Sequence, residues 1–123
     1  MNEAPKPIPL VFWRSVSGRE PVREWLIGLP QEDKRTIGRD INKVQFGWPI
    51  GLPLCRSLGA GLWEIRSSLP SQREARVFFG FQEEMLIALH VVIKKARKTS
   101  AEDLALARAR LKEVQSWPRK TRT

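Results

Sequence analysis

The sequence predicts an α+β domain, a compact antiparallel sheet carrying helices, in the order β-α-α-β-β-β-α. Three observations predict it. Between Gly61 and Lys98, three runs (GLWEIRS, REARVFFGF and MLIALHVVIKKARK) alternate apolar and polar residues with the period of a strand. Between Glu20 and Phe46, apolar residues recur at helical spacing instead. A last helical stripe, Leu104, Ala107, Leu111 and Val114, follows a capping-box-like signal formed by Ser100 and Asp103.

In chain order, Ile8 to Arg14 (IPLVFWR) is rich in β-formers and reads as the first strand. Ser17 and Glu20 have capping-box spacing, while Pro21 alternatively suits the first position of a helix capped by Glu20. Either way a short helix begins near Glu20, with Val22, Trp25 and Leu26 on one side, and Gly28-Leu29-Pro30 ends it. A second helix runs from about Gln31 to Phe46 on Ile37, Ile41 and Val44. Arg35, Arg39 and Lys43 form a basic stripe on another face, explained more simply by solvation than by RNA contact. The two helices form a hairpin on the apolar face of the sheet. Gly47 to Pro53 is turn-rich, and Leu54 to Ala60 leads into the next strand.

Residues two apart on a strand share a face. Trp63 and Ile65 therefore oppose Glu64 and Arg66, and Val77, Phe79 and Phe81 oppose Arg76 and Phe78. In the third run, Ile87, Leu89, Val91 and Ile93 share one face, while Ala88, His90, Val92 and Lys94 share the other. A sheet with its apolar side buried then gathers Glu64, Arg66, Arg76, His90 and Lys94 on an open side.

The length of 123 residues suits a single domain spanning the chain, with a short flexible N-terminus and a basic tail at residues 116–123. A single cysteine forms no internal disulfide, and no apolar run reaches the roughly 18 residues of a membrane span. The opening MNEAPKPIPL lacks the apolar core of a signal peptide, so a cytoplasmic protein is expected. The net charge of +9 and a pI near 10.6 favour a polyanionic partner: nucleic acid, a membrane surface or an acidic protein.

With one histidine and one cysteine, a zinc site would have to draw on carboxylates. No glycine-rich phosphate loop or nucleophile elbow is present, and no cofactor or metal is implied. Cys55, beside Arg56, reads as buried or inert rather than as a nucleophile. The cationic cluster remains. Cleaving RNA without a metal needs a base near the 2′-hydroxyl, a donor for the leaving 5′-oxygen, and positive charge on the phosphoryl oxygens. Arg66, Arg76, His90 and Lys94 supply those residue types, and Lys95, Arg97 and Lys98 extend the field. Plainer readings stand beside this one: Arg66 pairing with Glu64 or Glu74, His90 as a satisfied core histidine, KKARK as a solvated loop.

From about Leu10 to Val114 the chain resembles HigB-like toxins of the RelE/ParE superfamily, from type II toxin–antitoxin modules. The resemblance rests on PVREWLIGLP, LPLCRSLGAGLWEIR, REARVFF, IALHVVIKKARKT and SAEDLALARARL, in that order and spacing. It implies a RelE-like antiparallel sheet and metal-independent cleavage of mRNA, usually in the ribosomal A site, by attack of the 2′-hydroxyl. It also implies a cognate helix-turn-helix antitoxin, HigA-like, that blocks the toxin and links it to operator DNA. No membrane partner is implied. Arg66 and Arg76 fall where the superfamily places phosphate-binding arginines, Lys94 and Lys95 match its paired lysines, and His90 matches a histidine before them. On that basis Arg76 stabilises the phosphorane, Arg66 positions the phosphate, Lys94 or His90 moves protons, and Lys95, Arg97, Lys98 and Phe78 contact RNA.

The strand that often reads YRVFY in the superfamily is ARVFF here, and the chain has no tyrosine. Two alternatives follow: a gyrase-directed ParE-like toxin, and a catalytically inactive module of the same fold that binds nucleic acid or antitoxin.

Overall fold

A computed structural model describes residues 6–94 and 99–117, the side chain of Lys94 excepted. A short strand β1 (Leu10–Phe12) opens the fold. Helices α1 (Pro21–Ile27) and α2 (Gln31–Gly47) follow, then four strands and a closing helix. The strands are β2 (Cys55–Gly59), β3 (Leu62–Ser68), β4 (Glu74–Gln82) and β5 (Met85–Lys94), and the helix is α3 (Ala101–Gln115). One sheet has the order β1-β5-β4-β3-β2. β1 is parallel to β5 and every other pair is antiparallel.

The α+β class is as the sequence predicts, with one strand more. Cys55–Gly59 pairs with β3 instead of merely leading into it. Its periodicity is weak because it is an edge strand: Arg56 and Ser57 are exposed, and only Cys55 is buried. The turn out of it takes left-handed backbone at Gly59, Ala60 and Gly61, with φ of +88°, +52° and +82°. α1 starts with Pro21 at its first turn and Glu20 as N-cap, and Glu20 makes no side-chain capping bond.

α1 and α2 cover one face. Val22, Ile37 and Val44 pack there against Ile65, Val77, Phe79 and Val91. The other face is not open. α3 lies on it, with Ala107, Leu111 and Val114 against Leu62, Phe78, Ile87 and Leu89. The space it occupies is set by Gly80, where a Cβ would stand 2.6 Å from Leu111 Cδ1.

Strict alternation also fails once in β5. Phe78 pairs with His90, but Phe79 pairs with Ala88, so Leu89 is an extra residue. Such a bulge shifts the parity of everything beyond it. Ile87 and Leu89 therefore pack with Val92 under α3, while Leu86, Ala88, Val91 and Ile93 face the helical hairpin. No helix among the described residues is long and apolar enough to cross a membrane.

Candidate active site

The polar end of the α3-side face is built by the register of three strands. Arg66 stands directly across from Arg76, Glu64 across from Phe78, Phe78 across from His90, and Glu74 across from Lys94. The nine residues between the arginines do not displace them, because the β3–β4 connection is pinned. Asp33, buried near the start of α2, accepts from Ser71 Oγ at 3.1 Å and from Arg73 at 3.2 Å. Arg73 also donates to Ser71 Oγ at 3.1 Å.

Glu74 holds both arginines. Its Oε2 lies 3.0 Å from Arg76 Nε and 2.9 Å from Arg76 Nη2. Its Oε1 lies 3.6 Å from Arg66 Nη2. The two cations then part company. The Arg76 side chain is 2% exposed, and its Nη1 donates to Thr99 Oγ1 at 2.9 Å. The Thr99 hydroxyl donates in turn to the buried Glu64 at 3.4 Å. Arg66 is 29% exposed, and its buried Nε has no hydrogen-bond partner among the described residues. Arg76 is thus a buried, fully engaged guanidinium rather than a member of an open surface. Arg66 is the arginine with donor capacity to spare at the rim.

His90 sits one residue pair along the sheet. Its Nε2 is 2.9 Å from Asp103 Oδ1, and its ring stacks on Phe78, with centroids 5.8 Å apart and planes 16° from parallel. Asp103 is placed by the start of α3, where Ser100 Oγ accepts from its backbone N–H at 3.1 Å and donates to its Oδ2 at 2.7 Å. A carboxylate only accepts, so it selects the tautomer with a proton on Nε2. In the neutral ring this leaves Nδ1 with a lone pair, the form a general base requires.

Phe78 is corrected by its position. It is fully buried between β4 and α3 and presents no ring to a base. Strand parity alone puts it on the polar face, but α3 covers that part of the face. Lys95, Arg97 and Lys98 lie outside the described residues, as does the Lys94 side chain. Around the two arginines the described charges balance, Arg66 and Arg76 against Glu64 and Glu74, and Asp103 adds a further carboxylate beside His90. Sequence reasoning left out Asp103, Glu74 and Thr99 as site residues. Glu74 had entered only as the plain ion-pair partner of Arg66, a pair that the structure contains, and Asp103 only through its capping spacing to Ser100, which reports the helix start rather than the histidine.

Cys55 is buried in the hairpin-side core, and its thiol is pushed up to about 11, first by burial and then by the nearby Asp40 carboxylate. It is no nucleophile.

Residues 24–112 match the model of the family described as Phage derived protein Gp49-like (DUF891). The chain belongs to that family. Gp49-like proteins form a RelE/HigB-like, toxin-type family of toxin–antitoxin systems, for which an antitoxin is the expected partner. No curated protein matches the chain. The Gp49-like match spans Arg66, Glu74, Arg76, His90, Thr99 and Asp103, so the whole described cluster lies within the family region.

Proposed function

We propose that this Gp49-like protein is the toxin of a type II toxin–antitoxin module. In this reading it is an endoribonuclease that cleaves mRNA, without a metal, on the ribosome, in the cytoplasm, and is restrained by a helix-turn-helix antitoxin. The observation that carries the reading is an oriented histidine on the same sheet face as a rim arginine. Arg66 Nε has no partner among the described residues, and the contact of His90 Nε2 with Asp103 leaves Nδ1 to act.

In this mechanism His90 Nδ1 takes the proton of the 2′-hydroxyl, and the 2′-oxygen attacks the adjacent phosphorus. The 5′-oxygen leaves with a proton from Lys94, giving a 2′,3′-cyclic phosphate and a 5′-hydroxyl. Arg66 binds the phosphoryl oxygens, and its planar fork suits two of them. Glu74, itself anchored by Arg76, holds Arg66 in place. Lys95, Arg97 and Lys98 contact the RNA backbone. This exchanges the roles that the sequence suggests for the two arginines, because the buried one is already occupied.

Primer extension on mRNA from cells expressing the chain tests the reading. Codon-phased cuts with cyclic phosphate ends are expected, and a folded Arg66→Ala variant removes them. The charge balance around the two arginines favours a second reading, a fold that kept antitoxin binding and lost cleavage. That reading predicts no cuts and no growth arrest from either protein.

A further inference from the structure

α2 carries cations and an aromatic ring on its solvent side. At 3.6 residues per turn, Arg35, Arg39, Lys43 and Phe46 fall within an arc of about 80°, about 16 Å long. All four are exposed, Phe46 to 52%. Arg35 and Arg39 have no ion pair among the described residues, and Lys43 has only a 3.8 Å contact with Asp40. The acid on that arc, Glu32, lies at its N-terminal end.

The C-terminal end of the stripe runs into an aromatic cluster. Trp48 caps α2 and packs edge-on against Trp63 at 4.9 Å and Phe79 at 5.3 Å. It also lies 5.7 Å from Phe81, which is 42% exposed on the last turn of β4. Solvation alone explains exposed arginines, but it does not explain an exposed phenylalanine in the last turn of α2 and another against its C-cap Trp48. A cationic track ending in partly exposed aromatic rings is the composition that binds single strands, by phosphate contacts and base stacking together.

We propose that α2 and this cluster form a second RNA-binding surface, for single-stranded RNA, on the sheet face opposite Arg66 and Arg76. It rests on the preceding reading only for the choice of RNA as ligand. One strand lying on this track leaves the Arg66 face free for a second segment.

The test is fluorescence anisotropy with the full chain and a labelled 2′-O-methyl oligouridine, which lacks the attacking hydroxyl and so reports binding whether or not the protein cleaves. The triple variant R35E/R39E/K43E is expected to bind at least about tenfold more weakly, with a log–log salt slope shallower by about 2. Phe81→Ala and Phe46→Ala are each expected to lose about fivefold or more for the single strand and nothing for a duplex of the same length. Lys112→Ala, which removes an exposed cation on α3 outside both surfaces, is expected to bind the oligonucleotide as the parent does. Arg35, Arg39 and Lys43 are exposed, so the triple variant should melt at the parent temperature, while circular dichroism shows that the two phenylalanine variants, whose rings are about half exposed, are folded. An unchanged affinity and slope in the triple variant would overturn the proposal. So would equal duplex binding with no effect of either phenylalanine, or a triple variant that loses its antitoxin while keeping RNA. Absence of mRNA cuts with this binding intact would instead strike only the catalytic reading.

Discussion

Arg66 and Arg76 face one another directly across β3 and β4, and a single carboxylate, Glu74, lies against both. Two like charges in register repel, so the pair depends on that anion. Arg76 is buried, and removing Glu74 takes away the carboxylate 2.9 Å from its guanidinium, leaving the charge in the interior without that ion pair. Glu74→Gln should therefore cost about 3 kcal/mol of stability, whereas Arg66→Ala should stay within about 1 kcal/mol of the parent. Urea denaturation measures both. Arg76→Ala should lose a similar amount to Glu74→Gln, so its loss of toxicity would report folding. If Arg66→Ala proves the more destabilising of the two arginine variants, the division between a buried strut and a rim donor is wrong.

Asp103 joins two tasks, the start of α3 and the orientation of His90. Ser100→Ala removes the cap and leaves the histidine contact, so it should cost about 1 kcal/mol with cutting of mRNA retained. Asp103→Asn keeps a side chain of the same shape but offers His90 an amide in place of a carboxylate. It should leave the protein folded and shift the pH profile of cleavage, because the Nε2 proton is no longer held by a charge. An Asp103→Asn enzyme with an unaltered pH profile would show that His90 is a core residue only.

Strand parity was legible wherever β3 and β4 stay regular. It put Glu64, Arg66 and Arg76 on one face and Trp63, Ile65, Val77 and Phe79 on the other, and the packing agrees. It failed in β5, because a bulge at Leu89 leaves no compositional trace and moves Ile87 and Leu89 beneath α3. It also cannot say what covers a face. The apolar stripe of α3 was visible, yet nothing local fixes where that helix docks. Hence Phe78 looked available and Arg76 looked open. Glu74 was visible as a partner for Arg66, and that pair forms, but only the register places the same carboxylate beside Arg76 as well.

Cys55 gives the fold a measurable response to alkali. Its thiol titrates near 9.0 when exposed and at about 11 in the core. The folded state thus keeps a proton that the unfolded chain releases, and the resulting stability is complete below pH 9.0 and lost as pH climbs to about 11. The whole effect is roughly 2–3 kcal/mol at 1.36 kcal/mol per unit. Urea denaturation at about pH 8 and about pH 10.5 should therefore show Cys55→Ala losing about 2 kcal/mol less than the parent across that interval. Taking the difference between the two proteins removes the shared titration of lysines. Equal losses would mean that the thiol is not held protonated.

The docking of α3 is the structural claim on which His90 depends, and Gly80 tests it. A methyl group there would meet Leu111 Cδ1 at 2.6 Å, with Leu111 Cγ at 3.8 Å. Leu111 is buried, so it has little room to swing clear. Gly80→Ala should cost about 1–3 kcal/mol, and Leu111→Ala about 2–5 kcal/mol through its cavity. The double variant should recover more than about 1 kcal/mol of the summed loss, because each change relieves the other. Denaturant melts of the four proteins close the cycle. Strict additivity would mean that Leu111 does not press on Gly80, and then neither Asp103 nor the imidazole it orients would sit where this docking puts them.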